Sequence, residues 1–173
     1  RYRNKTAFSV TKKNNEIYIG PYEQGTYNTV DIEGCLIQSS EADKAVSIFK
    51  ELMIKYRIEA YDKKIGKGTV KNIIIRNNRK NELMLIIVTS NKDFNNKELL
   101  VKELVSKNSN IKTVIQNINS KNTNLVMGQK NITLYGEGTI NDTIDDLNFT
   151  ISPETFFQVN SIQTEKLYQT AIE

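Results

Sequence analysis

The chain has 173 residues, enough to bury one core or two small ones. Its hydrophobic fraction of 38% and charged fraction of 25% are those of an ordinary globular protein, and no apolar run approaches the roughly 20 residues that a membrane-spanning helix needs, so no membrane partner is expected. A net charge of +4 favours a polyanionic partner, because lysine and arginine contacts to phosphates supply most non-specific nucleic-acid affinity, and the absence of histidine excludes Ser-His and Cys-His nucleophiles and His-ligated zinc.

The opening Arg1-Tyr2-Arg3-Asn4-Lys5 carries charge with no apolar segment behind it, so no secretory signal is read. With no initiating Met and a last residue inside a helix-like run, the chain is expected to be an excised segment with natural context on both sides. The lone Cys35 cannot form an internal disulfide, and a reduced, cytoplasmic compartment is expected, with the protein a monomer. Sequons at Asn4, Asn131, Asn141 and Asn148 are attributed to an Asn-rich composition.

In chain order, Ala7–Val10 and Ile17–Ile19 flank the polar turn Lys12–Asn15 and predict a hairpin. A loop with Gly20-Pro21 and Gly25 leads through Val30–Ile37 to a capping box at Ser40 and Asp43. Behind it Ala42, Ala45, Val46, Phe49, Leu52, Met53 and Tyr56 recur at helical spacing and predict one buried stripe. Val70–Arg76 and Leu83–Thr89 read as strands about the turn Asn77–Asn81, the second apolar enough to be central. A shorter helix with Leu99, Leu100, Leu104 and Val105 follows, then a strand from Ile111 to Ile118. Asn119–Gly128 reads as loop, and Asn131–Ile151 as short strands around Gly136, Gly138 and an acidic turn, Asp142 to Asp146. Asn160 caps a last helix with Leu167, Ala171 and Ile172 on its apolar side. Hairpins interspersed with helices, without strict alternation, predict an α+β fold with a mixed or antiparallel sheet and flanking helices.

Residue by residue, little chemistry stands out. Cys35 taken alone reads as a buried small hydrophobe. Gly136-x-Gly138 lacks the third glycine of a dinucleotide loop and reads as a turn, Gly66-Lys67-Gly68 as a flexible connection, and Asp142, Asp145 and Asp146 as a solvated turn. Arg1, Arg3, Lys5, Lys12 and Lys13, interleaved with Tyr2 and Phe8, fit either single-stranded RNA contact or an ordinary charged strand edge.

The run Ser152-Pro153-Glu154-Thr155-Phe156-Phe157-Gln158-Val159-Asn160, followed by Glu165-Lys166-Leu167-Tyr168, resembles the Ser-Pro-x-x-Phe-x-Gln-Val-Asn signature of RNA uracil-5 methyltransferases. Tyr2–Lys5, Val30-Asp31-Ile32-Glu33-x-Cys35 with Ile37-Gln38, and Gly68–Lys71 before Ile75-Arg76 follow in that family's order. The resemblance covers essentially the whole chain. It implies the central region of a class I RNA methyltransferase, with residues 1–150 an RNA-contacting α+β domain and 151–173 the start of a donor-binding domain. The Rossmann-like catalytic portion then lies beyond Glu173. Cys35 falls where RumA-type 23S ribosomal RNA enzymes place the fourth ligand of a [4Fe-4S] cluster, the other three preceding this segment.

In that family a cysteine thiolate adds to C6 of uracil, C5 takes the methyl group from S-adenosylmethionine, and a base removes the C5 proton. Both of those groups are expected outside this chain, which alone is therefore expected to be inactive. By resemblance Gln158 contacts S-adenosyl-L-methionine, and Arg3, Lys5, Lys71 and Arg76 contact RNA. Tyr27 and Lys71 depart from relatives that often carry His and Arg, and Lys71 keeps the charge without the bidentate fork. A transfer RNA enzyme and a self-contained RNA-binding or assembly module are the alternatives to a 23S ribosomal RNA enzyme.

Overall fold

The computed structural model describes residues 1–121 and 125–172. The strands are β1 (Lys5–Lys13), β2 (Glu16–Gly20), β3 (Val70–Asn77), β4 (Leu83–Thr89), β5 (Ile111–Ile118), β6 (Lys130–Tyr135), β7 (Ile140–Ile144) and β8 (Leu147–Ile151). The helices are α1 (Ser40–Lys55), between β2 and β3, α2 (Lys97–Lys107), between β4 and β5, and α3 (Ser161–Ile172), after β8. The fold is α+β, as the interspersed pattern predicts.

Six strands form one sheet in the order β2-β1-β3-β4-β5-β6, and β7 and β8 form a separate hairpin. Every pairing is antiparallel except β4 with β5, whose parallel alignment requires the crossover that α2 supplies. The β1–β2 turn holds two residues, Asn14 and Asn15, both at positive φ, the geometry that matches the twist of a tight hairpin and that asparagine tolerates.

β4 is buried along its whole length because each face meets a different layer. Leu83, Leu85 and Ile87 join Ile73 and Ile75 beneath α1 and α2. Met84, Ile86 and Val88, one residue out of phase, join Ile74 and Ile115 beneath Ile140, Ile144 and Ile151 of the hairpin and Phe157. Helices therefore cover one face and the β7–β8 hairpin part of the other.

The α1 stripe is buried from Ala42 to Met53, but the cap lies one residue earlier than predicted. Ser39 Oγ accepts from the Ala42 amide at 3.1 Å, and Asp43 is drawn away to bind the Cys35 amide, Gln38 and Arg1. In α2 the core positions are Leu100, Val101 and Leu104, while Leu99 is half exposed and Val101 takes a buried place instead. Asp142, read as part of a solvated turn, is a buried β7 residue whose Oδ1 accepts from the Arg79 amide. The turn is confined to Asp145 and Asp146 between the paired Ile144 and Leu147.

α3 is capped by Asn160, whose Oδ1 accepts from the Gln163 amide at 3.2 Å. Its apolar side is not the buried one. Ser161 and Thr164 face inward, while Leu167 and Ile172 stand exposed, since nothing among the described residues covers them. Glu165 ties the helix to the hairpin by accepting from the Asp145 amide at 2.8 Å and pairing with Arg79 at 2.6 Å. That amide, and secondarily Arg79, hold the Glu165 carboxyl below its ordinary range. A depressed carboxylate stabilises the fold above its unfolded pKa, and that contribution disappears as pH falls through the folded value. Glu165→Gln is expected to flatten the acid limb of Tm against pH between neutrality and about pH 3. Parallel curves for the two proteins would show that the tie contributes nothing.

Candidate functional site

The signature segment lies where both ends of the chain meet on β3. Asn4, 154 residues away from Gln158 in sequence, is buried and donates through Nδ2 to the Gln158 carbonyl at 2.8 Å and to Ser161 Oγ at 2.9 Å. Its amide donates to the Val159 carbonyl at 2.9 Å, and its own carbonyl accepts from the Asn77 amide at 3.0 Å. Both Nδ2 hydrogens of the buried Asn4 are thus committed within the fold, which argues against its sequon as a glycosylation site.

Arg76 holds the other end of the segment. Only 3% exposed, it donates from Nη2 to the Pro153 carbonyl at 3.2 Å and to the Thr155 carbonyl. Burial lowers its pKa, with the charge of Glu154 opposing that shift. Ser152 and Thr155 close a turn between these carbonyls, and Phe157 is buried against Phe149 with ring centroids 5.7 Å apart. Gln158 is consequently fixed through its backbone, while its side-chain amide is half exposed and makes no hydrogen bond among the described residues. A free amide that can both donate and accept suits a polar cofactor group. Phe156, 84% exposed, and Ile162, Tyr168 and Ile172 of α3 leave apolar surface uncovered in this C-terminal part of the chain.

The other predicted site residues are distributed around the sheet. Lys5 sits opposite Arg76 across β1 and β3, and burial followed by the neighbouring guanidinium lowers its pKa. Arg3 is exposed, with its amide bound to the Ile37 carbonyl at 2.8 Å. Lys71, at the β3 irregularity, donates to the Lys121 carbonyl at 3.0 Å and lies 4.3 Å from the Tyr61 ring centroid. Cys35 is half exposed on the loop before α1, outside both apolar clusters, with its amide donating to Asp43 Oδ1 at 3.1 Å. Among the described residues no group of three or more His, Cys, Asp or Glu side chains could hold a metal ion. One thiol fits a four-thiolate cluster only as a single ligand, with three supplied from outside these residues.

The sequence reading missed two features. Asn4 and Arg76 act as a clamp on the signature segment, which no local pattern could reveal because the partners lie more than 70 residues apart. The second is a cleft of about 360 Å³ at the β1–β2 end of the sheet, lined by four tyrosines and five lysines from three separate stretches. The signal for it, tyrosines at 22 and 27 and a tyrosine beside two lysines at 61–64, is split across about 40 positions of sequence.

No family model matches the chain. An uncharacterized RNA methyltransferase from Clostridium tetani is 39% identical over 174 residues, covering 100% of this chain and 38% of that protein. One from Caldanaerobacter subterraneus subsp. tengcongensis is 43% identical over 99% of this chain and 38% of its own length, and one from Staphylococcus aureus strain COL is 37% identical over 100% and 39%. The chain is thus a homologue of part of these RNA methyltransferases, spanning about 38% of their length. Within that class its fold is that of part of the Pyrococcus abyssi tRNA (uracil-54, C5)-methyltransferase, solved in complex with S-adenosyl-L-homocysteine. The TM-score is 0.78 over 98% of this chain and 40% of that one, at 20% identity. The family resemblance carried by Ser152–Asn160 is borne out.

Proposed function

We propose that this chain is the central, RNA-contacting part of an S-adenosylmethionine-dependent 23S ribosomal RNA uracil-5 methyltransferase, cytoplasmic and monomeric, with residues 151–173 beginning the donor-binding domain. The observation that carries the reading is the clamped segment, which presents the unpaired Gln158 amide at a junction held by Asn4 and Arg76. The cofactor, when bound, supplies the electrophilic methyl group. Gln158 contributes a hydrogen bond that orients it, and the clamp limits the freedom of that amide. Arg3, Lys5 and Lys71 contact RNA directly, whereas Arg76 acts through the segment it holds. The catalytic cysteine and the base lie outside residues 1–173.

The half-exposed loop position of Cys35, with its backbone tied to Asp43, supports its role as one of four cluster ligands and is poorly explained by packing. Iron-sulfur absorbance in the complete protein that survives Cys35→Ser would sink that assignment. The solved neighbour, by its name a tRNA enzyme, favours a transfer RNA substrate as the second reading.

The decisive experiment incubates the complete protein with S-adenosylmethionine and either 23S ribosomal RNA or transfer RNA, then measures 5-methyluridine. Methylation of the ribosomal RNA is expected. Methylation of transfer RNA alone would shift the proposal to the second reading, and none in either would remove it. Gln158→Ala is expected to raise KM for the donor about 2- to 10-fold, the worth of one hydrogen bond. An unchanged KM would remove Gln158 from the donor site.

A further inference from the structure

The cleft at the β1–β2 end of the sheet is a built site that the clamped segment does not use. Between β2 and α1 the chain forms a small loop closed by a Tyr22–Thr29 bridge, with the Glu23 amide donating to the Asn28 carbonyl at 2.8 Å and the Val30 amide to the Pro21 carbonyl at 2.9 Å. That closure presents Tyr22 and Tyr27 edge-on at 5.7 Å, and the Tyr27 ring is 69% exposed. Lys63, from the loop before β3, reaches back over both rings, with Nζ 5.6 Å from the Tyr22 centroid and 5.1 Å from that of Tyr27. Tyr61 and Lys71 make a second such pair in the same cleft.

Charge in the cleft is one-sided. Among the described residues, Lys12, Lys13, Lys63, Lys64 and Lys71 line it and none enters an ion pair. The one lining carboxylate, Asp62, turns Oδ1 inward to the Lys64 and Ile65 amides at 2.7 and 3.3 Å. Burial, then the charge of Lys63, lowers the pKa of Lys71, as expected where cations gather without a counter-ion. Exposed aromatic faces beside unpaired cations match the chemistry of an unstacked base flanked by phosphates.

We propose that this cleft is a separate nucleotide subsite, which stacks one unpaired base of single-stranded RNA on Tyr27 while the lysines hold the adjoining phosphates. It rests on the reading that the complete protein acts on RNA, and it adds where a non-target nucleotide is held. Thr11 in the cleft lies on β1 and Asn4 at the clamp immediately precedes that strand, about 23 Å away at the rise of an extended chain. A few nucleotides of extended strand bridge that interval, so the subsite fixes the register of the RNA relative to the donor junction.

The test titrates the complete protein with a short single-stranded oligoribonucleotide carrying 2-aminopurine, whose fluorescence falls on stacking. Tyr27→Phe is expected to bind and quench like wild type. Tyr27→Ala is expected to bind roughly 5- to 100-fold more weakly, with the quench lost and the salt dependence unchanged. Lys63→Gln is expected to reduce the slope of log affinity against log salt by about 0.7 per lost phosphate contact. Wild-type affinity and quench in Tyr27→Ala, with RNA methylation intact, would overturn the subsite alone, as would equal quenching by a fully paired duplex. A wild-type protein that binds no RNA would overturn the underlying functional reading as well. Tyr27 is exposed, so its substitution leaves the fold in place, which a matching Tm verifies.

Discussion

Phe49→Ala is expected to destabilise the fold by about 3–5 kcal/mol, the range for deleting a fully buried aromatic ring and leaving a cavity. Phe49 is 0% exposed at the centre of the α1 stripe, where α1 packs with α2 over β1, β3 and β4. β1, β3 and β4 beneath it are held by pairing with one another, which limits their collapse into the space. Chemical denaturation should show the loss as a lower midpoint with an unchanged m-value. Leu99→Ala provides the control. Leu99 is half exposed, so its removal should cost less than about 0.5 kcal/mol. Comparable losses in the two variants would contradict the orientation of α2.

Arg76→Ala is expected to cost about 2–4 kcal/mol, because two carbonyls lose a charged donor in a buried setting, offset in part by relief of the cost of burying the guanidinium. The effect should extend beyond stability. Releasing Pro153 and Thr155 loosens the segment that carries Gln158, so KM for the methyl donor should rise along with the fall in Tm. Arg76→Lys should rescue little, since an ammonium lacks the planar fork that reaches two carbonyls at once. RNA affinity separates this positioning role from direct contact. Arg3→Ala should reduce the salt slope by about 0.7, the value for one lost phosphate on a single strand, while Arg76→Ala should leave it unchanged. An equal reduction in both would put Arg76 on the RNA.

The clamp and the cleft divide the labour of the segment differently from the linear motif. In sequence the basic residues Arg3, Lys5, Lys71 and Arg76 form one set. In the fold Arg3 is exposed, Lys5 and Arg76 lie side by side against the signature segment, and Lys71 belongs to the tyrosine cleft. Residues of one chemical type thus come to occupy exposed, clamped and cleft-lining positions, which sequence order does not encode.

Local physics made much of the architecture legible. The strand-like run of β3, the continuous apolar run of β4, the helical spacing from Ala42 to Met53 and the Asn160 cap each depend on neighbours within a few residues, and each lies where those patterns place it. The signature from Ser152 to Asn160 is likewise contiguous, so the family could be read from it.

Tertiary structure decided what depends on distant partners. Asp43 left its capping role because Cys35, Gln38 and Arg1 compete for its oxygens. Asp142 is buried where β7 meets the β3–β4 turn, its Oδ1 accepting from the Arg79 amide. The apolar side of α3 stayed exposed because nothing among the described residues covers it. Asn4 and Arg76 came to grip Gln158, and four tyrosines and five lysines came to share one cleft, only because strand pairing closes loops of tens of residues. A sequence pattern reports the periodicity of one element, whereas a site is made by the contacts between elements that periodicity leaves open.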